Sequence, residues 1–230
     1  MSIIEHNYES VETLNEQFAQ QVAQLLAQGI LENGNASLVV SGGRTPAAMF
    51  NTLSLQDIKW ENVDVTLADE RWVNEDDPAS NAAMVKRELL INNAQKATFY
   101  GLKTSHQDAS EAIDTLNQQL SQISTPFDVL ILGMGEDGHT ASLFPCSAQI
   151  KQGLDTSNTS DYIAVTPNTA PNQRMSLTLK RILDSKKVFL HLTGDTKKAV
   201  LHKALESDNA LEMPIRAVLN KIDVNLVWAP

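Results

Sequence analysis

The chain has 230 residues, of which 42% are apolar, a formal net charge of −10 and a single cysteine, Cys146. Its length fits one large domain or two small ones, and because no linker rich in Pro, Ser or Gly divides it, we expect one domain, residues 1–230. The acidic balance argues against a nucleic-acid surface and an anionic membrane surface. No apolar run approaches the ~20 residues that span a bilayer. The lack of a signal-peptide pattern and of a cysteine pair predicts a cytoplasmic protein.

The apolar spacing along the chain alternates between the periods of helices and strands. In chain order it predicts a helix at 10–29, a strand at 36–40, a helix at 46–53, a strand at 63–68, helices at 79–90 and 109–123, strands at 127–132, 162–166 and 188–193, helices at 197–205 and 214–219, and a strand at 224–228. Ser10 suits the N-cap of the first helix and Gly29 its stop, while Pro46 suits the first turn of the second helix. Strands that alternate with helices predict an α/β protein with an open, mostly parallel sheet and helices on both faces.

Polar clusters follow four of the predicted strands. They are Ser41-Gly42-Gly43, Asp69-Glu70-Arg71, Gly133 to His139 and Gly194 to Lys197. In open α/β sheets, ligands bind outside the carboxyl ends of the strands. We therefore expect the four clusters to contribute to one binding site.

The stretch from Gly133 to His139 carries the clearest chemical signal. Its glycines let backbone N–H groups turn toward an anion or a developing oxyanion, and Asp137 and His139 can act beside that turn. The stretch formally matches the dinucleotide fingerprint G-x-G-x-x-G. That fingerprint requires a long helix after its third glycine, whereas Pro145 would break such a helix and the two acids in the stretch would repel a pyrophosphate. A Gly-rich turn without chemistry is the other alternative.

The segment Ser41-Gly42-Gly43-Arg44-Thr45-Pro46 predicts an anion cradle, because hydroxyls and backbone N–H groups precede a helix N-terminus there. It is not a nucleotide P-loop, since the motif G-x-x-x-x-G-K-[ST] is absent from the chain. A plain tight turn into a helix is the alternative. Arg174 and Lys197 are the cations best placed to meet a phosphate in this acidic chain, although each alone would suit a solvated surface. Arg71 shares its strand end with two acids and would also suit a solvated turn.

The remaining chemical motifs argue against other classes of site. The five histidines do not pair at metal-ligand spacing and H-E-x-x-H is absent, so we predict no metal. The lack of G-x-S-x-G argues against a serine hydrolase of that type. His191 lies within a predicted strand and is expected to be packed or hydrogen-bonded, and Cys146 is expected to be a bystander.

Together these clusters resemble the 6-phosphogluconolactonase family. The matching segments run in the family's order over nearly the whole chain, at 41–46, 69–73, 80–81, 132–145, 174–178 and 194–197. Within them, Gly-x-Asp-Gly-His-Thr-Ala-Ser-Leu-Phe-Pro at 135–145 is long and highly specific. The resemblance implies the fold that this family shares with the glucosamine-6-phosphate isomerases.

The resemblance also implies hydrolysis of 6-phospho-D-glucono-1,5-lactone to 6-phosphogluconate, the second step of the oxidative pentose phosphate pathway. Lactone hydrolysis needs a general base with a pKa near neutral and donors for the oxyanion, and no redox cofactor. His139 suits the base, and Asp137 can orient it or hold the sugar. Backbone N–H groups of the 133–138 turn can meet the oxyanion.

The resemblance further implies a set of substrate-binding residues. They are Ser41, Gly42, Gly43, Arg44, Thr45, Asp69, Arg71, Gly135, Arg174 and Lys197. Arg174, Lys197 and the 41–45 loop are expected to hold the phosphate, whereas Arg71 can steady either the phosphate or the carbonyl end. The expected partner is a small sugar-phosphate lactone, and the expected assembly is a monomer or a small homo-oligomer.

Two other functions suit the same fold. A sugar-phosphate isomerase is one, but Phe144 stands where those relatives carry a glutamate needed for ring opening. A non-catalytic sugar-phosphate sensor is the other. The intact His139 argues against a sensor, as does the lack of an evident DNA-binding segment before Ser10 in this acidic chain.

Overall fold

The computed structural model describes residues 2–230, which form ten strands and eight α-helices. The strands are β1 Ile3–Asn7, β2 Ala36–Val40, β3 Val63–Leu67, β4 Asp69–Arg71, β5 Thr98–Tyr100, β6 Val129–Leu132, β7 Tyr162–Val165, β8 Arg174–Leu177, β9 Val188–Thr193 and β10 Val224–Ala229. The α-helices are α1 Val11–Asn33, α2 Ala47–Ser54, α3 Asn81–Glu88, α4 Ile113–Leu120, α5 Ile150–Gly153, α6 Leu179–Leu183, α7 Asp195–Leu205 and α8 Ile215–Leu219, and 3-10 turns lie at Trp60–Asn62, Asn92–Lys96 and Ala109–Ala112. Within residues 2–230, no helix is long and apolar enough to cross a membrane.

Seven strands form one sheet in which every neighbouring pair runs parallel, in the order β1-β10-β9-β6-β2-β3-β5. Parallel neighbours need long crossover connections, which are helical here and cover both faces of the sheet. The prediction of an open, mostly parallel α/β sheet is therefore confirmed. The register pairs Val40 with Ile131 and Leu132 with Leu190, so β2 and β6 end within one residue of each other, while β9 continues to Thr193. The polar residues that follow these strands therefore begin close together, at the carboxyl ends of neighbouring strands.

A second, three-stranded antiparallel sheet has the order β4-β8-β7. It continues from the large sheet through Ala68, whose N–H donates to the carbonyl of Val40 and whose carbonyl accepts from the N–H of Leu177. The pairing of β4 with β8 sets Arg71 opposite Arg174. The sequence predicted β7, at 162–166, but not β4 or β8, and therefore not this sheet.

Helix α1 begins where the sequence predicts but ends later. The Ser10 side chain accepts a hydrogen bond from the N–H of Thr13, which confirms Ser10 as the N-cap. Gly29 is not the stop, because the helix continues to Asn33 and ends at Gly34 in the left-handed conformation, with φ 84°. Gly29 is buried instead, and a Cβ there would lie 2.9 Å from Oδ1 of Asp128. This glycine marks a close approach of helix to sheet.

Other helices and strands begin or end at residues that differ from those predicted. The helix predicted at 79–90 is shorter, since Ser80 accepts from the N–H of Ala83 and caps α3. The strand predicted at 127–132 begins at Val129. The sequence did not predict β1, β5, α5 or α6, which are short, and β1 and β5 lie at the two edges of the sheet. The central strands β2 and β6 are buried at every residue, as expected of strands covered on both faces, and both were predicted.

His191 lies within β9 and is buried, as the sequence predicts. Its ring meets the ring of Phe18 on α1 edge-on, with centroids 5.4 Å apart. Among the described residues, neither ring nitrogen of His191 has a hydrogen-bond partner, so the residue is packed rather than hydrogen-bonded. Burial lowers the pKa of His191 from 6.5 to about 4, because the charged form loses its hydration.

This burial makes stability depend on pH through His191. Between pH 6.5 and about 4 the unfolded chain binds a proton at His191 that the folded chain does not, so stability falls as the pH falls through that window. Replacement His191→Leu should remove up to roughly 3 kcal/mol of this dependence. Urea unfolding of parent and variant at a series of pH values measures the difference. The exposed His202→Gln serves as control and should follow the parent. Parallel curves for the parent and His191→Leu would contradict the assignment.

Candidate active site

A cavity of about 370 Å³ opens at the carboxyl edge of the large sheet. Of the predicted site residues, those that line it are Ser41, Gly42, Thr45, Asp69, Arg71, Gly135, His139, Arg174 and Lys197. Gly43 and Arg44 are exposed and lie outside the lining. Asp137 also lies outside the lining, but it contacts His139. The structure therefore brings together residues from all four polar clusters that follow the strands.

The turn after β6 holds the His139 imidazole in place. Oδ1 of Asp137 lies 2.5 Å from Nδ1 of His139 and also accepts from its backbone N–H at 3.1 Å. A carboxylate only accepts, so Nδ1 carries the proton and Nε2 of the neutral ring is the nitrogen left to take one. Burial alone would raise the pKa of the Asp137 carboxyl, but the hydrogen bond and charge of His139 lower it. Asp137 therefore remains ionised beside the imidazole.

Two N–H groups that the sequence offered to an oxyanion are used within this turn. The N–H of Gly135 donates to the carbonyl of His139, and the N–H of Gly138 donates to the carbonyl of Gly135. The expectation that the 133–138 turn presents these donors to a ligand is wrong for Gly135 and Gly138. Their bonds shape the turn instead. Gly135 has a second role, because a Cβ at this position would overlap Nδ1 of His139.

Two guanidinium groups stand side by side on the wall formed by the small sheet. Nη1 of Arg71 donates to the carbonyl of Ala79 at 2.6 Å, and Nη2 of Arg174 donates to the carbonyl of Pro171 at 3.1 Å. The Nε atoms of both arginines are buried without a partner among the described residues. Burial, and then the charge of Arg71, lower the pKa of Arg174. An anion bound here would satisfy the free donors and offset the like-charge repulsion.

Lys197 adds a third cation from the first turn of α7. Its Nζ donates to the carbonyl of Met134 at 3.0 Å, which uses one of the three ammonium donors and directs the group to the cavity. The hydroxyls of Ser41 and Thr45 come from the loop before α2. Oγ of Ser41 is buried without a partner in the described chain. These groups give the cavity the cations and hydroxyls from which the sequence predicts an anion site.

Glu70 is a buried residue whose role the sequence did not reveal. Its carboxylate accepts from the backbone N–H groups of Asn81 and Ala82, at 2.8 and 2.7 Å, and from that of Arg71 at 2.7 Å. It therefore ties β4 to the first turn of α3, where a negative charge is stabilised by the helix dipole. Burial raises the pKa of Glu70, although these hydrogen bonds act to lower it.

The attachment of β4 to α3 also sets the position of the Asn81 side chain, which lines the cavity. Its Nδ2 donates to the carbonyl of Asp69 at 2.8 Å. A Cβ at Gly42 would overlap the amide of Asn81, so the glycine makes room for it. Oδ2 of Asp69 in turn accepts from Oγ of Ser142 at 2.5 Å. The contacts of Asp69 join segments far apart in the chain, which is why no local pattern indicated them.

Within residues 2–230, His, Cys, Asp and Glu side chains form no group of three or more that could hold a metal ion.

Comparison with known proteins decides the family. A family model described as glucosamine-6-phosphate isomerases/6-phosphogluconolactonase matches residues 9–228. The chain belongs to this family. A 6-phosphogluconolactonase of Neisseria meningitidis serogroup B is 41% identical over 224 residues, which cover 96% of this chain and 95% of that protein.

Solved structures agree with the family assignment. The crystal structure of a 6-phosphogluconolactonase from Shewanella baltica matches with a TM-score of 0.97 at 43% identity, covering 100% of this chain and 98% of that one. A monomeric glucosamine-6-phosphate deaminase matches with a TM-score of 0.81 at 18% identity, covering 99% and 97% of the two chains. The second likeness shows the fold alone, and it confirms the fold that the resemblance implies.

The close approach of Gly135 to the imidazole generates a prediction. Replacement Gly135→Ala should push the His139 ring out of its place, because the added methyl group overlaps Nδ1. The matched control is Gly133→Ala, where a Cβ would meet no atom within 4 Å. Nitrogen-15 NMR of the imidazole should show loss of the hydrogen-bonded Nδ1 proton in the first variant only. An unchanged imidazole spectrum in folded Gly135→Ala would contradict the geometry.

Proposed function

We propose that the protein hydrolyses 6-phospho-D-glucono-1,5-lactone to 6-phospho-D-gluconate, the second step of the oxidative pentose phosphate pathway. The observation that carries the proposal is an imidazole with Nε2 free to accept a proton, in the same cavity as three cations that suit a phosphate. Relatives of 41% and 43% identity that cover nearly the whole chain are named 6-phosphogluconolactonases. The site chemistry and the relatives' names support the same reaction.

In the proposed mechanism His139 acts as the general base. Nε2 takes a proton from a water molecule as its oxygen attacks the lactone carbonyl carbon, which forms a tetrahedral oxyanion. Collapse of this intermediate breaks the bond to the ring oxygen, and the imidazolium returns its proton to that oxygen. The product is an open-chain acid. Asp137 keeps the proton on Nδ1 throughout and stabilises the imidazolium charge.

The phosphate end of the substrate is assigned to Arg174, Lys197 and the hydroxyls of Ser41 and Thr45 in the loop before α2. Charge-assisted hydrogen bonds to phosphate oxygens are the strong kind, and a guanidinium group can bind two oxygens at once. Arg71, beside Arg174, faces the same cavity and suits either the phosphate or the carbonyl end. Binding the charged end far from the reacting carbon lets binding energy orient the ester for attack.

The isomerase alternative lacks the acid that it would need. Phe144 lines the cavity at the position where the isomerases carry the ring-opening glutamate. A phenyl ring can neither donate nor accept a proton. Lactone hydrolysis starts from a closed ester and requires no such group.

The first test removes the base. Replacement His139→Ala should lower kcat by about 10²–10⁴-fold, the usual contribution of a positioned general base, while the fold is kept. Acid release from freshly generated lactone, corrected for the spontaneous rate, measures the loss. His202→Ala, on the exposed side of α7, is the control and should keep parental activity. Parental activity in a folded His139→Ala variant would refute the role of the base.

The second test concerns the phosphate. Arg174→Ala and Lys197→Ala should each weaken binding of 6-phosphogluconate by about 1.5–3 kcal/mol, the contribution of one charge-assisted contact. Hydrolysis of unphosphorylated gluconolactone, which we expect to be slow in the parent, should change little. Lys198→Ala is the matched control, since the neighbouring ammonium lies over the ring of Trp228, 3.7 Å from its centroid. Equal losses for both lactones would show that these residues do not recognise phosphate.

A further inference from the structure

Phe144 contacts both of the groups to which the proposed function assigns chemistry. Its ring is stacked on the His139 imidazole, with centroids 4.1 Å apart and planes inclined by 28°. The guanidinium carbon of Arg174 lies 5.7 Å from the centroid of the same ring. The side chain is 5% exposed and lines the cavity. A single apolar ring therefore lies against both the general base and a phosphate-binding cation.

The backbone around Phe144 holds this ring in a fixed place. A tight turn precedes it, in which the N–H of Leu143 donates to the carbonyl of Thr140 and Ala141 takes a φ of 47°. The carbonyl of Phe144 then accepts from both the N–H and Oγ of Ser147, at 3.1 and 2.9 Å. Such a backbone leaves the side chain little freedom to move away from the imidazole.

The stack supplies a constraint that Asp137 does not. The bond from Nδ1 to Asp137 holds one edge of the imidazole but leaves the ring free to tilt about that bond. A face-to-face contact with Phe144 sets the plane of the ring, and with it the direction of Nε2. An aromatic face also attracts a cation, so the contact is stronger with the imidazolium that forms during hydrolysis than with the neutral ring.

We propose that Phe144 is a positioning residue that sets the plane of the His139 imidazole and couples it to Arg174. The proposal rests on the proposed function for its kinetic consequences, although the stacking is defined without it. Because the Phe144 ring contacts both groups, it helps set the distance between Nε2 of His139 and the guanidinium group of Arg174. Phe144 occupies the position at which the isomerases carry their ring-opening glutamate. In this chain the residue at that position orients the proposed general base instead.

The kinetic test replaces the ring while keeping its apolar bulk. Phe144→Leu should lower kcat about 5- to 30-fold on phosphorylated and unphosphorylated lactone alike, as expected from loss of an aromatic contact to a cation. KM for the phosphorylated lactone should rise by a smaller factor through Arg174. Phe144→Tyr keeps the aromatic face and should restore kcat to within about threefold. Leu143→Val, in the same loop but outside the cavity lining, controls for loosening of the loop and should keep parental kcat.

A second measurement separates this proposal from the proposed function. Nitrogen-15 NMR of the ligand-free protein reports on the His139 imidazole whether or not the lactone is the substrate. Phe144→Leu should broaden or shift the imidazole signals, while Phe144→Tyr and Leu143→Val should leave them as in the parent. If Phe144→Leu does not fold, Phe144→Met takes its place, since an unbranched side chain fills the same space without a ring.

The outcomes are distinct. Absence of lactonase activity in the parent would overturn the proposed function, and the imidazole spectra would still test the stack. Parental spectra and parental kcat in Phe144→Leu would overturn the positioning role. An equal loss of kcat in Phe144→Leu and Leu143→Val would also overturn it, because a general effect of the loop would then explain both.

Discussion

The parallel backbone ladder that joins β2, β6 and β9 is the constraint on which the site depends. Hydrogen bonds between these neighbours set Val40 beside Ile131 and Leu132 beside Leu190. A slip of one residue would turn each apolar side chain to the opposite face and move the following loops out of step. Because the central strands are buried on both faces, packing and the ladder select the same register. Each loop then needs only its own turn to bring polar groups to the cavity.

The small antiparallel sheet adds the electrostatic part of the site. It places Arg71 and Arg174 side by side, although mutual repulsion and burial oppose this arrangement. Glu70 holds the same strand to α3 through the backbone N–H groups of Asn81 and Ala82, so the geometry of the wall does not depend on a ligand. A chain of net charge −10 thus collects positive charge at one cavity, while the acidic remainder of its surface does not attract anions.

The imidazole in the cavity is constrained from more than one side. Gly135 leaves room for Nδ1, Asp137 accepts its proton, and Phe144 stacks on the ring. These residues lie within one turn and the loop that follows it, so the surroundings of the imidazole are built locally once β6 is in place. The cations come from other segments, at the end of β4, the start of β8 and the first turn of α7. The contacts of the imidazole and the cluster of cations therefore depend on different segments, which the sheet brings to one cavity.

The sequence by itself determined the features that depend on local backbone preference and on residue type. The alternation of apolar periods predicted most helices and strands, Ser10 marked a helix start, and the cluster from Gly133 to His139 predicted that Asp137 can orient the His139 imidazole. It also supplied nine residues that line the cavity. These signals are local because hydrophobic period, capping and turn chemistry act over a few residues.

Only the tertiary structure decided the features that join distant segments. It paired Arg71 with Arg174, attached Asp69 to Ser142, and assigned Gly29 to a helix–sheet contact instead of a helix end. It also placed Arg44 outside the cavity lining, although Arg44 belongs to the predicted anion loop. The physical reason is that each of these outcomes depends on strand register and on the packing of helices against the sheet. The distances between these side chains are set by the fold of the whole chain, and no short stretch of sequence predicts them.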